Sequence, residues 1–301
     1  MNSLIEVCGK QVRVQGKLIR TARLEADKYH FVEDPEAFLE ELRACNARID
    51  LFTFVQKLPD TKQKYSYPME WDNFAALPVT TFDNWWNKQI GFKARNKAKQ
   101  AQKKGVVVKE VPFDRTLVKG IWEIYNECPI RQGKKFNHYG KDEETVYKDE
   151  ATFLDTSVFI GAYDGDRLIG FIKMVYDETR TQAGLMNIFS SIRDRDKAPS
   201  NALVAQAVKS CADRGISYLV YSNFAYGGKQ KSSLSDFKER NAFERMDIPR
   251  YYVPLTAIGA TALKLGLQHR LSSRIPEPIT AKLRELRENW YNRKFPSAKE
   301  A

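Results

Sequence analysis

Apolar and polar positions alternate in short runs at the start of the chain, a pattern that predicts strands around one helix. The strand candidates are KQVRVQG, KLIRTARL and RIDLFTFVQ. The helix candidate is DPEAFLEELRAC, in which Asp34 fits the N-cap position and Pro35 the first helical position. We therefore expect an α/β arrangement in residues 1–85.

The segment FDNWWNKQIGFKARNKAKQAQKKG has the period of a single long helix. Its apolar face consists of Trp86, Ile90, Ala94, Ala98 and Ala101, which recur at helical spacing. The glycine that ends the segment is a natural helix stop. Lysine and arginine fill most of the other positions, so the pattern predicts a basic linker helix over residues 86–104.

After this segment, strand and helix patterns alternate with short breaks. The pattern predicts a strand (VVVKEVPF), a helix (RTLVKGIWEIYNEC), a polar segment and then an antiparallel meander of three strands. Asp164-Gly165 marks the first hairpin of the meander, because Asp-Gly fits a tight two-residue turn. The corner SSIRDRDKAPSNAL then leads into a helix, followed by a strand (ISYLVYSNF), a helix (SLSDFKERNAF) and a strand (RYYVPLT). This order places the corner beside two neighbouring strand ends, where ligands of α/β sheets bind.

Two helices are expected after the last strand. The second carries a stripe of Ile279, Leu283, Leu286 and Trp290 at helical spacing, which we expect to cover an edge of the sheet. The whole pattern predicts an α/β (α+β) protein in which helices flank a mixed sheet. Its domains are expected at residues 1–85, 86–104 (the linker helix), 105–256 and 257–301.

The composition shows an excess of positive charge and argues against a metal site and a membrane span. The chain of 301 residues is 43% hydrophobic and has a formal net charge of +11, so we expect a folded protein with an anionic partner. That partner is a nucleic acid, a membrane surface or a phosphate-rich cofactor. The four cysteines and three histidines are widely scattered, which predicts no metal site. With Glu6 near the N-terminus and no long apolar run, we expect a cytoplasmic protein without a signal peptide or membrane span.

The second half of the chain resembles the GNAT acyltransferase superfamily. The resemblance lies in the Asp-Gly hairpin before RLIGFIKMVY, in the corner SSIRDRDKAPSNALVAQAVKSCADRGISYL and in SDFKERNAFE before the last strand. GNAT members usually carry glycines where this chain has Pro199 and Ser200, and often a tyrosine where it has Lys238 after Phe237. These departures and the basic helix KARNKAKQAQKKG are similar to the Fem-type branch, which has tandem GNAT halves. The resemblance implies that residues 1–85 are a degenerate first half.

The resemblance also implies a donor site at the corner and on the late helix. The helix that begins at Pro199 directs its first amides outward, where they are suited to binding an anion, and Lys197 adds a positive charge. The donor-binding candidates are Lys197, Pro199, Ser200, Asn201 and Phe237. An ordinary proline-started helix after a solvated turn is the alternative explanation.

Catalytic candidates follow from what acyl transfer needs: an amine in line with the carbonyl, a partner for the oxyanion and a proton source for the leaving group. They are Lys238, Asn187, Ser190 and Tyr226. The polar segment PIRQGKKFNHYGK lies where GNAT members build the acceptor site, and its candidates are Arg131, Gln132, His138 and Tyr139. His138 also has the chemistry of a general base. Ordinary loop, strand or core roles are the alternatives for these residues.

The function that the resemblance implies is N-acyl transfer to a small-molecule or peptide amine. An acyl-CoA such as acetyl-CoA is the favoured donor, because GNAT enzymes that use CoA are more common. Aminoacyl-tRNA, the donor of Fem-type enzymes, is the alternative, and a non-catalytic basic adaptor that binds RNA is a third interpretation. The nucleic-acid candidates lie on the basic helix and are Lys93, Arg95, Lys97, Lys99, Lys103 and Lys104; a solvated linker is their other explanation.

Overall fold

The computed structural model describes residues 3–27, 29–131, 133–225, 232–269 and 277–294. The chain forms two compact units. The first contains residues 1–76, 222–227 and 245–275, and the second contains residues 77–221, 228–244 and 276–301. In each unit helices flank a mixed sheet, as the sequence predicts. The domain boundaries drawn from the sequence stay predictions.

The first unit is built on a meander and a crossover helix. Its elements are β1 (Ser3–Val7), β2 (Lys10–Gln15), β3 (Thr21–Leu24), α1 (Pro35–Ala44), β4 (Leu51–Val55), most of β5 (Met69–Pro78) and of β13 (Glu244–Pro254), and α8 (Ala257–Lys264). The strand order is β1-β2-β3-β4-β13-β5. The predicted start of α1 is confirmed, because Asp34 accepts hydrogen bonds from the amides of Glu36 and Ala37.

The basic helix predicted as one continuous element is interrupted. It begins with α2 (Phe82–Asn84), continues as a π-helical turn (Trp85–Gln89) and, after an extended break, becomes α3 (Phe92–Lys103). The wider π-helical turn changes the helical phase, so Trp85 is fully buried rather than Trp86. At the break, the Gly91 amide donates to the Arg240 carbonyl, where an added Cβ would lie 3.0 Å from that oxygen.

The second unit contains the elements predicted to surround the corner. They are β6 (Val107–Val111), α4 (Arg115–Tyr125), a short hairpin of β7 (Ile130–Arg131) and β8 (Lys134–Lys135), α5 (Glu143–Glu150), β9 (Ser157–Asp164), β10 (Arg167–Tyr176), β11 (Gln182–Ser190), α6 (Pro199–Asp213), β12 (Tyr218–Asn223) and α7 (Ser233–Arg240). The strand order is β12-β11-β10-β9-β6. The predicted meander is confirmed as β9–β10–β11. Helix α5 lies in the segment that the sequence pattern indicated only as polar.

The two units repeat one topology. In the second, the antiparallel meander β9–β10–β11 is followed by helix α6 and by β12, which runs parallel to β11. In the first, the meander β1–β2–β3 is followed by α1 and by β4, which runs parallel to β3. Each of these strands and helices is shorter in the first unit than its counterpart in the second. This difference agrees with the predicted degenerate first half. The chain is therefore a tandem arrangement of one fold.

The last described helix is α9 (Glu277–Lys294). Its stripe of Ile279, Leu283, Leu286 and Trp290 is exposed, so the expectation that these residues cover a sheet edge is wrong for this helix. Among the described residues, no helix has the length and apolar character needed to cross a membrane.

Candidate functional site

Strands β11 and β12 separate after a short parallel contact. Only Gln182–Gly184 of β11 pair with Tyr218–Val220 of β12, although β11 continues to Ser190. A β-bulge follows, since Leu185 and Asn187 pair with consecutive β10 residues and Met186 lies between them. β11 is buried up to Leu185 and half-exposed from Met186 onward. We call the space beside residues 186–190, bordered on β12 by Tyr221, the strand cleft.

Helix α7 brings two predicted site residues to Tyr221, on the β12 side of the strand cleft. Ser232 caps α7 through a reciprocal hydrogen-bond pair with Ser235. The side chain of Lys238 is fully buried, and its Nζ lies 4.7 Å from the centroid of the Tyr221 ring. The Phe237 ring meets the Tyr221 ring edge-on at 6.4 Å. A buried lysine side chain thus lies against an aromatic residue of the cleft wall.

The other predicted donor residues lie in the corner between β11 and α6. Ala198 adopts a left-handed conformation before Pro199, and among the described residues no side chain caps this helix start. Ser190 and Ser200 are linked by a hydrogen bond of 3.0 Å between their Oγ atoms. The Asn201 amide donates to the Ala198 carbonyl at 3.3 Å. The start of α6 is therefore fastened to the end of β11.

The charges of the corner are largely neutralised within the protein. Lys197 Nζ binds the carboxylate of Asp164 and lies 3.5 Å from Asp194 Oδ1. Arg167 donates to both oxygens of Asp194 at 2.8 and 2.9 Å, which holds the pKa of Asp194 well below its usual range. The hydrogen bond to Asp164 raises the pKa of Lys197. The Lys197 ammonium is thus charged, but it already has two carboxylate partners.

The Glu127 carboxylate, which has no distinguishing sequence signal, holds the loop before α6. Glu127 accepts from Ser191 Oγ at 2.9 Å, from the Ile192 amide at 2.6 Å and from the Arg193 amide at 3.1 Å. Burial opposes ionisation of Glu127, but these hydrogen bonds outweigh it and lower its pKa. Nothing in the sequence distinguishes Glu127 from a surface glutamate after a helix.

The basic helix α3 is joined to this corner. Lys104 Nζ lies 2.6 Å from Asp196 Oδ2, and Gln100 Nε2 donates to the Asp196 carbonyl at 2.7 Å. Five of the six nucleic-acid candidates are exposed: Lys93, Lys97, Lys99, Lys103 and Lys104. Arg95 is half-buried and donates to the Trp86 carbonyl at 3.2 Å. The positions of Lys93, Lys97 and Lys104 fall on one side of the helix at 3.6 residues per turn.

The predicted acceptor residues occupy different environments. Arg131 is nearly buried and donates to the Ser190 carbonyl at 2.8 Å and to the Ile124 carbonyl at 2.7 Å, so it supports the end of β11. The His138 ring stacks at 4.3 Å on Tyr125 and meets the ring of Phe189, on β11, at 5.6 Å. Tyr139 is exposed. Gln132 and Tyr226 lie outside the described residues, and their predicted roles stay predictions.

His138 is held neutral by its surroundings. Burial, and to a lesser extent the nearby Lys141 ammonium, lower the pKa of His138 to about 4. Its Nδ1 atom is buried and has no hydrogen-bond partner among the described residues. An imidazole in this state is unprotonated at neutral pH, and its lowered pKa makes it a weaker base than a free histidine.

A buried polar network lies behind this part of β11. Asn187 Nδ2 donates to both carboxylate oxygens of Glu150 at 2.9 Å, and Tyr125 Oη donates to Glu150 Oε1 at 2.8 Å. Lys173 Nζ donates to the Glu150 carbonyl at 2.7 Å and to Thr152 Oγ1 at 2.8 Å. Burial raises the pKa of Glu150 and lowers that of Lys173 to about 8.

This network gives Asn187 a structural partner, and it brings two further residues, Lys173 and Glu150, to the candidate site. Asn187, selected as a catalytic candidate, is held by Glu150, and its contribution to any reaction stays a prediction. Lys173 has a sequence signal, because it is the only charge between apolar residues in LIGFIKMVY. Glu150 has none, since it ends a segment rich in charged residues.

Comparison with known proteins identifies the fold. No protein-family model and no curated protein matches the sequence. The structure is similar to the C-terminal domain of an Agrobacterium fabrum protein described as a lysylphosphatidylglycerol synthetase, with a TM-score of 0.56, 14% identity and 87% of each chain covered. L-PGS from Bacillus licheniformis gives a TM-score of 0.55 at 13% identity over 88% of each chain. FemX gives a TM-score of 0.52 at 11% identity, and the match covers 88% of this chain and 90% of FemX.

These similarities extend over most of the chain. The chain therefore has a GNAT-type fold in its divergent, Fem-type form.

Proposed function

We propose that this protein transfers an acyl group to an amine, with the acyl donor bound in the strand cleft. The observation that carries the proposal is the separation of β11 and β12 after Gly184, because it exposes a strand edge beside the start of α6. Backbone amides of an unpaired strand edge are donors for a carbonyl oxygen. Such donors stabilise the oxyanion that forms when an amine attacks the carbonyl carbon.

The reaction forms a C–N bond and breaks the bond between the carbonyl carbon and its leaving oxygen or sulfur. The amine loses one proton, and the leaving group gains one. His138 is the proposed acceptor of the amine proton, because burial keeps its imidazole neutral and it packs on Phe189 of β11. Lys238 is the proposed cation that stabilises negative charge on the leaving group, from its buried position against Tyr221.

Aminoacyl-tRNA is the donor that the geometry favours. The backbone amides of Ile192 and Arg193 already bind Glu127, and Lys197 already binds two carboxylates, so few groups remain to surround a CoA diphosphate. The exposed lysines of α3 are joined to the same corner through Asp196, where they suit a phosphate backbone. FemX and L-PGS, whose fold this chain shares, support acyl transfer in general and do not distinguish the two donors.

Acyl-CoA is the second candidate donor, and one observation favours it. Among the described residues no side chain caps the start of α6, so its first amides and the positive end of the helix dipole are suited to one phosphate group. This single anchor differs from the wrapping loop that glycines provide in other GNAT proteins. The acceptor is proposed to be a small-molecule or peptide amine.

The test is a transfer assay with two labelled donors, aminoacyl-tRNA and acetyl-CoA, against a panel of amines. The proposal predicts a labelled amide product that depends on the protein and on one donor. Product from aminoacyl-tRNA alone supports the first donor, and product from acetyl-CoA alone supports the second. RNA binding that occurs only at low salt, without product from either donor, would instead support a non-catalytic basic adaptor.

A further inference from the structure

Helix α9 presents an apolar stripe that the described part of the protein does not cover. The exposed fractions are 54% for Ile279, 54% for Leu283, 58% for Leu286 and 52% for Trp290. The apolar face of α4 in the same unit behaves differently, because its leucine and isoleucine residues are at most 3% exposed. An apolar stripe of this kind marks an interaction surface.

The charges beside the stripe define what kind of surface it fits. At 100° per residue, the four apolar side chains fall within about 60° of the helix circumference. Lys282 and Arg293 border the stripe on one side, and Arg287 and Lys294 border it on the other; all four are exposed. Glu285 lies on a different part of the circumference. The helix thus has a narrow apolar face between two cationic margins.

This arrangement fits a surface that is apolar inside and anionic at its boundary. Lysine and arginine beside an apolar face reach outward to lipid phosphates while the face enters the acyl region. Trp290, with Lys294 Nζ 4.9 Å from its ring centroid, has the composition of a membrane–water interface. Pairing of α9 with α9 of a second copy would place cationic margins against each other, which is unfavourable.

We propose that α9 binds the surface of an anionic membrane and lies in its plane, with the stripe of Ile279, Leu283, Leu286 and Trp290 inserted at the interface. This binding does not depend on the proposed acyl transfer. It attaches the protein to a surface through a helix that lies in the interface.

The test is sedimentation of the full chain with vesicles of phosphatidylcholine alone and of phosphatidylcholine with about one third phosphatidylglycerol. Binding to the anionic vesicles and little binding to the neutral ones is expected. Because the whole chain is basic, charge alone gives some attraction. Variants therefore have to separate the stripe and its margins from the rest of the surface.

The apolar variant is Leu283→Ala/Leu286→Ala, and the margin variant is Lys282→Gln/Arg287→Gln. Each is expected to weaken binding roughly tenfold, through lost apolar insertion or lost charge. Lys119→Gln/Lys148→Gln, with the same charge change on α4 and α5, is the matched control and should bind as wild type. Thermal unfolding of every variant confirms that the protein is folded.

Three results would overturn the proposal: no binding to anionic vesicles, wild-type binding by the apolar variant, or equal loss in the control and margin variants. A dimer that forms without vesicles and is lost in the apolar variant would assign the stripe to a second copy instead. Analytical ultracentrifugation of the same proteins distinguishes that outcome.

Discussion

The Glu127 carboxylate accepts a hydrogen bond of 2.6 Å from the Ile192 amide, inside the loop that leads to α6. Here the Glu127 side chain occupies two backbone donors, the amides of Ile192 and Arg193, in the loop where the resemblance predicts a donor site. The relationship explains how the corner is ordered without glycine. Under the proposed function, it favours a donor that makes fewer contacts with the loop.

Replacing Glu127 by Gln should destabilise the corner. The change removes the charge that Ser191, Ile192 and Arg193 bind, at a cost of about 2 kcal/mol in unfolding free energy. Denaturant unfolding measures the effect, with Glu123→Gln on the exposed face of α4 as the control. Because the folded-state pKa of Glu127 is lowered, its contribution is present at neutral pH and declines in acid as the carboxylate protonates. Equal stability of the two variants would contradict this account of the loop.

Replacing Lys238 by Met should reduce turnover much more than stability. The methionine keeps most of the volume of this fully buried side chain, so the variant should still fold. Loss of the cation should lower kcat by roughly 100-fold or more, in the range measured for lost oxyanion donors. Steady-state kinetics and thermal unfolding provide the two readouts, with Lys209→Met on α6 as the control. Wild-type turnover in Lys238→Met would remove Lys238 from the mechanism.

His138 should make the protein less stable in mild acid. The unfolded chain takes up a proton near pH 6.5 and the folded protein only near pH 4, so the unfolded state binds more protons between these values. Unfolding free energy should therefore fall by about 1 to 3 kcal/mol as the pH drops from 6.5 to 4. In His138→Gln this fall in unfolding free energy between pH 6.5 and 4 should be absent. The same variant should lose roughly 100-fold in turnover if His138 is the base.

Lys173 should make the unfolding free energy depend on pH in the alkaline range. Burial lowers its folded-state pKa to about 8 from 10.5, so the unfolded state holds more protons between these pH values. Unfolding free energy should rise by about 1 to 3 kcal/mol from pH 8 to 10.5, relative to Lys173→Met. Urea unfolding of both proteins across this range measures the difference. Parallel pH curves would show that Lys173 keeps an ordinary pKa.

The exposed lysines of α3 should contribute to RNA binding through phosphate contacts. Lys93→Gln/Lys97→Gln should weaken tRNA binding at moderate salt and reduce the slope of log affinity against log salt by about 2. Lys119→Gln/Lys148→Gln carries the same charge change and should keep the wild-type slope. An unchanged slope in the α3 variant would leave the helix as a solvated linker.

The sequence predicted elements of both units because their signals are local. The hairpin turn after Asp164, Pro199 at the start of α6 and the Asp34 cap of α1 each depend on a few adjacent residues. The break at Gly91 was missed because its cause is distant in sequence: the Arg240 carbonyl approaches the backbone there. The pattern of Trp86 and Ile90 alone is compatible with an uninterrupted helix.

The candidate site was predicted only in part, for a similar reason. Lys238 and Ser190 were found through the resemblance, and the structure places both beside the strand cleft. Glu127 and Glu150 were missed because a carboxylate in a polar segment looks the same whether it faces water or accepts buried hydrogen bonds. Only the folded chain, which brings Glu127 to Ile192 and Glu150 to Asn187, distinguishes these cases.

The central claim is that the strand cleft binds the acylated end of the donor, and fluorescence anisotropy tests it most directly. The ligands are a tRNA with a stable amide-linked amino acid, the same tRNA uncharged, and acetyl-CoA as a competitor. The account predicts tighter binding of the charged tRNA at moderate salt, and loss of that preference in Ser190→Trp, whose indole crowds the start of α6. Equal affinity for charged and uncharged tRNA, without competition by acetyl-CoA, would contradict it.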